Sequence, residues 1–395
     1  MSKINYTTLY ACLGDVPAVR HAQGKRYEWL YWLTLIAAAL LVGQRSLTGM
    51  EQWLLHQKDE LLKALAPKRR CLPSLSTLRR VLCAVDIAAL EAQLAAYTQT
   101  LDQQDAIPGS VLTQRGERLQ GQALDGKTVR GARAPGAKVH LVSVVRHESA
   151  TVLAQTKVVE KRDERQAAKE LFASVPLAAR VTTMDALHTQ RWEAETILAA
   201  QGHYLMVVKP NQRTLYQDIQ WAFEALPPLN RYEQEYWDYQ RHETLDRGHG
   251  RLERRTLEST TRLNDFLSWP GVAQVLRRTC WRQDLRTKVI SQDVHFGITS
   301  PGTLWVRQTV TLAQVEQFWR WHWTIENCTH YPRDVSMGED ASQVRTGNAP
   351  QALAAFRNAI ISALRLGGWS YMPNAFRHFC LNSQDSLRFI GALST

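Results

Sequence analysis

Glu326 lies within Trp319-Arg320-Trp321-His322-Trp323-Thr324-Ile325-Glu326-Asn327, a carboxylate set among large apolar side chains. Burying an ionised carboxylate is costly unless a cation pairs with it. On a helix, Val315, Trp319, His322 and Glu326 recur at steps of four, three and four, and so share one face. A carboxylate held on a rigid apolar face suits a metal site, provided that other carboxylates come to meet it. Two candidates lie far upstream: Asp125 in Gln-Ala-Leu-Asp-Gly-Lys and Asp185 in Val-Thr-Thr-Met-Asp-Ala. Three such oxygen donors fit a pair of hard cations such as Mg²⁺. Two ions about 3.5–4 Å apart can activate an attacking oxygen and neutralise a leaving one in phosphoryl transfer. Asp125 would bridge both ions, with Asp185 and Glu326 each completing one. Spacing alone does not single these three out from the 37 acidic residues of the chain.

Each supporting residue has a functional and a plain reading. Lys127 and Arg130 follow the first aspartate and suit the scissile phosphate, or are ordinary surface charges. His188 and Gln190 follow the second; they orient Asp185, touch DNA or cap the next helix. Lys209, Asn211 and Gln212 come directly after an apolar strand, where a turn would bring them beside the metals. His249, Arg251 and Arg255 suit phosphate contacts, because arginine forks match phosphate oxygens; a salt bridge with Glu253 is the rival. Trp319, Trp321 and Trp323 cannot all face one way on a helix, so at least one is core, while another could stack on an unpaired base. Asp334, Glu339 and Asp340 are further carboxylates, better suited to supporting or capping roles than to metal ligation.

The elements that must position these residues change character along the chain. Up to about residue 115, apolar positions recur at three and four through Tyr27–Val42, Leu47–Leu65 and Leu78–Leu101, which predicts helices. Lys68-Arg69-Arg70 and Arg79-Arg80 flank a Pro-Ser-Leu-Ser-Thr turn. A helix pair joined there would resemble a helix-turn-helix with Ser76, Thr77 and Arg79 exposed, or would be a solvated basic face. After the linker at Ile107-Pro108-Gly109-Ser110 come strands at Leu119–Leu124, Val139–Arg146 and Thr151–Val159, the last two a hairpin. A helix near Arg165–Ala173, a strand at Val181–Met184, a helix near Thr189–Ala200 and a strand at Tyr204–Val208 complete a mixed α/β layer. Both aspartates fall at strand ends. A helix at Leu215–Leu226 leads into Arg-rich strands at Tyr232–Arg241, Arg251–Ser259, Val275–Arg282 and Lys288–Gly297. A final helix should start near Thr311 and end close to Pro332, where proline cannot donate to the helix. Asp334–Asn348 reads as a polar loop and Gln351–Leu366 as a last amphipathic helix.

Composition narrows the partners. The chain has 395 residues, enough for two or three domains, with ordinary hydrophobic and charged content. Its net charge of +11 favours polyanions, meaning nucleic acid or an anionic membrane surface. The six cysteines (Cys12, Cys71, Cys83, Cys280, Cys328 and Cys380) form no Cys-x-x-Cys pair, which argues against structural zinc or a disulfide framework. The longest apolar run, Trp29 to Val42, falls short of the roughly 20 residues that a membrane span needs. The expectation is a cytoplasmic, nucleoid-associated protein.

Five blocks, taken together, resemble the signatures of the ISAs1 insertion-sequence transposases, DDE enzymes related to the broader IS4 group and to the H-repeat proteins. They are Ala-Leu-Asp125-Gly-Lys-Thr-Val-Arg-Gly, Thr-Met-Asp185-Ala-Leu-His-Thr-Gln, Tyr204-Leu-Met-Val-Val-Lys-Pro-Asn-Gln212, His249-Gly-Arg-Leu-Glu-Arg-Arg255 and His322-Trp-Thr-Ile-Glu326-Asn. Glu339-Asp-Ala-Ser-Gln-Val-Arg-Thr-Gly-Asn-Ala-Pro350 fits as well, and the likeness runs in order from about residue 20 to 367.

The resemblance implies an α/β fold: an RNase H-like core with a β-rich insertion, preceded by an all-α domain. The boundaries would be 1–110 for the helical domain, 111–212 for the first part of the core, 213–308 for the insertion and 309–395 for the helices carrying Glu326. It implies Asp125, Asp185 and Glu326 as catalytic metal ligands for two Mg²⁺ or Mn²⁺ ions. It also implies cleavage and strand transfer at terminal inverted repeats of double-stranded DNA, by a homodimer on DNA. The IS4 group has Tyr, Arg, Glu and Lys around its glutamate. Here the tyrosine position is Trp319, the arginine position is His322 (usual in ISAs1) and the lysine position falls on Arg333. The subgroup's Leu-His-Trp reads Thr329-His330-Tyr331. These departures touch the contacts to the DNA end more than the metal site.

Overall fold

In this computed structural model, residues 8–19, 28–104, 111–113, 116–134, 137–158, 164–225, 238–302 and 310–394 are described. They form two compact units. The first comprises 1–107, 126–175 and 324–395; the second comprises 108–125 and 176–323. The chain opens with six helices: α1 (Leu9–Gly14), α2 (Trp29–Leu41), α3 (Leu47–His56), α4 (Lys58–Leu65), α5 (Leu75–Ala84) and α6 (Ile87–Gln104). The apolar run is α2, buried from Tyr31 to Leu41, a core helix of the first unit. Among the described residues no single helix is long and apolar enough to cross a membrane.

The strands then begin with β1 (Val111–Leu112), β2 (Arg118–Ala134), β3 (Ala137–Arg146) and β4 (Val152–Val158), followed by α7 (Glu164–Ser174). The predicted hairpin is present: β3 and β4 pair antiparallel from His140↔Val158, with a register shift at Val144/Val145. Next come β5 (Arg180–Met184), α8 (Arg191–Ala199), β6 (His203–Val208) and α9 (Arg213–Glu224). The first half of β2 runs parallel to β5, and β5 runs parallel to β6. Followed through β2, the order is β4-β3-β2-β5-β6. Three antiparallel strands followed by two parallel ones, in this order, make the expected RNase H-like core.

The insertion continues the same sheet. Strands β7 (Tyr239–Gly248), β8 (Arg251–Thr260), β9 (Gln274–Asp284) and β10 (Ile290–Thr299) form an antiparallel meander, and β10 pairs with β6 through Phe296↔Val208 to Thr299↔Leu205. Of the strand expected at Tyr232–Arg241, Tyr239–Arg241 fall in β7, which runs on to Gly248; residues 232–237 lie outside the described residues. Backbone bonding to β6 makes the meander an extension of the second unit's core layer.

The helix α10 (Leu312–Trp321) starts on a capping box between Thr311 and Gln314, and buries Val315, Phe318 and Trp319. It is not the single helix that the periodicity predicts. After a turn at 322–323 the chain winds as π-helix over Ile325–His330 and again over Pro332–Ser336. A wider turn shifts angular phase, so Glu326 does not follow the buried face of Val315 and Trp319: it is exposed. Nor does Pro332 end the winding, because the five-residue register absorbs its missing donor. The helices α11 (Ala349–Leu366), α12 (Met372–Leu381) and α13 (Ser383–Phe389) close the first unit.

Candidate active site

In the second unit, the register fixes the two aspartates. The last parallel pair between β2 and β5 is Leu124↔Met184, so Asp125 and Asp185 are the next residue on each of two adjacent strands. Neighbouring strands lie about 4.8 Å apart, so both acids leave the sheet side by side. The strand residues before them are buried and both aspartates are half-buried, at the rim of the apolar layer.

The loop after β5 is held from several sides. Asp185 Oδ1 accepts from the Leu187 N–H at 3.0 Å. Thr189 Oγ1 donates to the carbonyl oxygens of Asp185 and Val207. From the short 3₁₀ turn Pro210–Gln212, Asn211 Nδ2 donates to the Ala186 carbonyl at 2.8 Å, and Gln212 Nε2 donates to the Thr189 carbonyl at 2.8 Å. These two side chains brace the loop that carries Asp185. Lys209, just before them, is exposed. His188 is buried and lies 3.0 Å from Glu193 of α8, so it anchors the loop and does not reach DNA.

His322 completes this group. Its Nδ1 is 2.9 Å from Thr183 Oγ1, on the strand that ends at Asp185. Burial lowers its pKa; the charges of Asp125 and Asp185 and the bond at Thr183 oppose that shift, and His188 adds to it. The direction favours a neutral imidazole at pH 7 beside two carboxylates.

Trp319 is not a base-stacking residue. It is 4% exposed, under Arg278 at 5.8 Å and against Gly297, where a Cβ would lie 2.7 Å from the indole. Gly297 on β10 leaves the room that the indole fills. Trp323 is the exposed tryptophan of the segment, at 59%.

In the insertion, His249 has φ 51° and Gly250 φ 74°, and both are exposed in the β7–β8 turn. Arg251 is half-exposed and 3.5 Å from Glu253, whereas Arg255 is mostly buried between Asp246 and Glu253. The salt-bridge alternative therefore describes Arg255 better than a phosphate contact does.

In the first unit, Glu326 projects from the π-helical segment between buried neighbours Ile325, Thr329 and His330. Lys127, on the second half of β2, is nearly buried, with Nζ 2.5 Å from Asp334 Oδ2. Burial raises the pKa of Asp334, and the Lys127 bond opposes that rise. Arg130 is 70% exposed and only loosely paired, 3.8 Å from Asp340. Gly126 and Gly131 on the same strand are both sterically required. A Cβ on Gly126 would lie 2.7 Å from Glu164 and His140, and one on Gly131 would lie 2.4 Å from the Ser342 carbonyl.

Arg333 overturns one expectation. It is fully buried, forked onto Glu339 at 2.5–3.1 Å and donating to Asn358, so its guanidinium has no path to a DNA phosphate. Glu339, expected in a polar loop, is also fully buried and shared with Arg357 at 3.2 Å. Burial alone would raise the carboxyl pKa of Glu339; the two arginines outweigh burial and hold it low. The bracing by Asn211 and Gln212 and the Arg333–Glu339–Arg357 cluster are features that sequence reasoning missed. Only the turn after a buried strand hinted at the first, and no periodicity hinted at the second.

The model for the transposase DDE domain matches residues 117–363, and the model described as DDE_Tnp_1-associated matches residues 10–98. The chain is 27% identical over 358 residues to "Putative transposase YncI" of Escherichia coli O157:H7, covering 89% of this chain and 85% of that one. It is 30% identical over 255 residues to "H repeat-associated putative transposase YhhI" of Escherichia coli strain K12, covering 61% and 63% respectively. Among solved structures, it is similar to a chain from a cryo-EM structure of a piggyBac transposase synaptic complex with hairpin DNA. That match has a TM-score of 0.45 and 11% identity, and covers 98% of this chain and 81% of that one.

Proposed function

This chain belongs to the transposase DDE family, and from that premise we propose that it cuts DNA at the terminal inverted repeats of a mobile element and joins the freed end to a target. The observation that carries this reading is the register of β2 and β5, which delivers Asp125 and Asp185 together at the rim of a rigid sheet. Rigid strand ends suit a site whose main contribution is position and electrostatics. In this reading Glu326 supplies the third carboxylate, and all three are catalytic.

The donor set fits hard divalent cations: carboxylate oxygens at strand ends, half-buried or exposed. Two Mg²⁺ or Mn²⁺ ions held by Asp125, Asp185 and Glu326 would activate the attacking oxygen and neutralise the leaving one. Around them, Asn211 and Gln212 keep the Asp185 loop in place, and Thr183 fixes the ring of His322. Lys127, Arg130, Lys209, His249 and Arg251 form the set proposed to contact DNA phosphates. Of the three tryptophans among which the stacking role was open, Trp323 takes it, being the exposed one. Arg333, Arg255 and His188 serve the fold.

In the first reaction, water attacks the phosphorus at the element end. The P–O3′ bond breaks, and the leaving oxygen takes a proton to become a 3′-hydroxyl. In the second, that hydroxyl attacks a target phosphodiester and displaces the target's own 3′ oxygen. Residues 1–110 would assist end binding, residues 111–212 and 309–395 would carry the chemistry, and residues 213–308 would extend the DNA-facing sheet. Because two ends must be handled together, the working form proposed is a homodimer on DNA.

The test is a strand-transfer assay using duplexes from the flanks of the coding region, with the ends already cut. Joined products are expected. Cutting of intact ends with no joining would instead identify a nuclease that has lost integration.

A further inference from the structure

Within the first unit, a cavity of about 550 Å³ opens between the start of α3, helix α5 and the segment 338–346. Three arginines line it: Arg45 before α3, Arg79 on α5 and Arg345 on the segment. No aspartate or glutamate is among the lining residues described. Uncompensated guanidinium groups around a concavity of this size are unusual in a free-standing pocket, because like charges brought together repel unless an anion joins them. The nearest acid along these helices is already engaged: Glu51 Oε1 accepts from the Leu75 N–H at 2.7 Å.

The arginines are held in place. Arg79 Nη2 donates to Thr346 Oγ1 at 3.2 Å, and Arg345 Nε donates to the Gly131 carbonyl at 3.2 Å. The Arg45 stem packs over Gly338, whose φ is +64° and where a Cβ would lie 3.0 Å from Arg45 Cδ. All three side chains are otherwise exposed. Planar guanidinium forks, each anchored at one point and keeping further N–H donors, match phosphate oxygens.

We propose that this cavity binds the phosphodiester backbone of a DNA strand at a point separate from the catalytic carboxylates. The inference rests on the reading that the protein acts on DNA, and adds a phosphate site that neither the acids nor the family match assigns. A backbone segment suits the site better than a small free anion. The volume takes a whole phosphate–sugar unit, and the exposed Lys68, Arg69, Arg70 and Arg80 extend the positive charge along the chain on either side of Ser74–Arg79. Arg345 grips the carbonyl of Gly131, and the neighbouring Arg130 is exposed, which continues the positive charge from the cavity toward this strand.

The experiment measures binding of a labelled duplex, taken from the flank of the coding region, across a salt series. The proteins are wild type, Arg45→Gln, Arg79→Gln, Arg345→Gln, Arg79→Lys and Arg388→Gln. Arg388, exposed on α13 beside Asp385, removes the same net charge elsewhere. The expected result is that each pocket glutamine variant weakens binding about tenfold and lowers the slope of log K against log salt by about one. Arg79→Lys should recover part of the loss, and Arg388→Gln should bind as wild type does. If the pocket variants share the slope of Arg388→Gln while wild type binds normally, the pocket proposal is overturned and the transposase reading stands. Displacement by a deoxynucleoside monophosphate with no effect on the duplex slope would also overturn it, in favour of a small-anion site. If wild type shows no salt-dependent duplex binding, both fall together.

Discussion

Asn211 makes one side-chain bond, to the carbonyl of Ala186, and that bond bears on the residue next to Asp185. Replacing it with alanine leaves the carbonyl without its partner and frees the loop. Asn211→Ala is expected to lower the cleavage rate about tenfold or more, with little loss of duplex affinity or melting temperature. A matching fall in affinity would instead make Asn211 a DNA contact. Arg333 is the opposite case, a charge serving only the fold. Truncating one partner of a fully buried pair costs about 3–5 kcal/mol, so Arg333→Ala should melt many degrees lower, as followed by circular dichroism. Glu339, its partner, is held below the ordinary value of 4.5. Its contribution is therefore present above about pH 4.5 and is lost as pH falls through the lower folded value. The strand-end placement of the two aspartates was legible because each follows a short strand-forming stretch, Leu119–Leu124 and Val181–Met184. The role of Arg333 was not, since its partners lie six and twenty-five residues away with no shared period.

At the level of elements, the core strands read clearly because alternation or continuous apolar character matches their burial, and β5 is buried at every position. The final helix read poorly. Its apolar steps fit an ordinary helix, and nothing in the residue types announces a π register across Pro332. Glu91 on α6 shows a second kind of hidden link. It accepts from Gln155 on β4 at 2.6 Å and from Gln351 on α11 at 3.0 Å, tying three elements of the first unit. Burial pushes its pKa up to about 7, against the pull of those two bonds and Lys157. A folded value above the unfolded 4.5 means that the stabilising contribution is complete below about pH 4.5 and is lost as pH rises through about 7. Glu91→Gln should therefore gain on wild type between pH 5 and pH 8, by about 1 kcal/mol after allowance for its partial exposure to water. Parallel melting curves across that range would refute the assignment.

For the molecule as a whole, the charge of +11 set the class of partner early, and the insertion shows how that charge is distributed. Many of its arginines are spent on cross-strand carboxylates, as with Arg277 on Glu258 and Arg282 on Glu253 and Asp293. Composition therefore overstates how much charge is free for DNA. Among the described residues, exposed cations stand at Lys68–Arg70, Arg80, Arg130, Lys209, the β7–β8 turn and the arginine-lined cavity. Extending the sheet from β6 through β10 gives the second unit one continuous layer, so the insertion and the strand ends bearing the aspartates are parts of a single scaffold.

The most direct test incubates flank-derived duplexes with wild type, Asp125→Asn, Asp185→Asn and Glu326→Gln, with Mg²⁺ or Mn²⁺ and with EDTA. Strand cutting is expected only in wild type with a divalent ion, and should fall by about a thousandfold or more in each variant, while duplex binding persists. Undiminished cutting in EDTA, or by any one of the three variants, would contradict a site built from these acids.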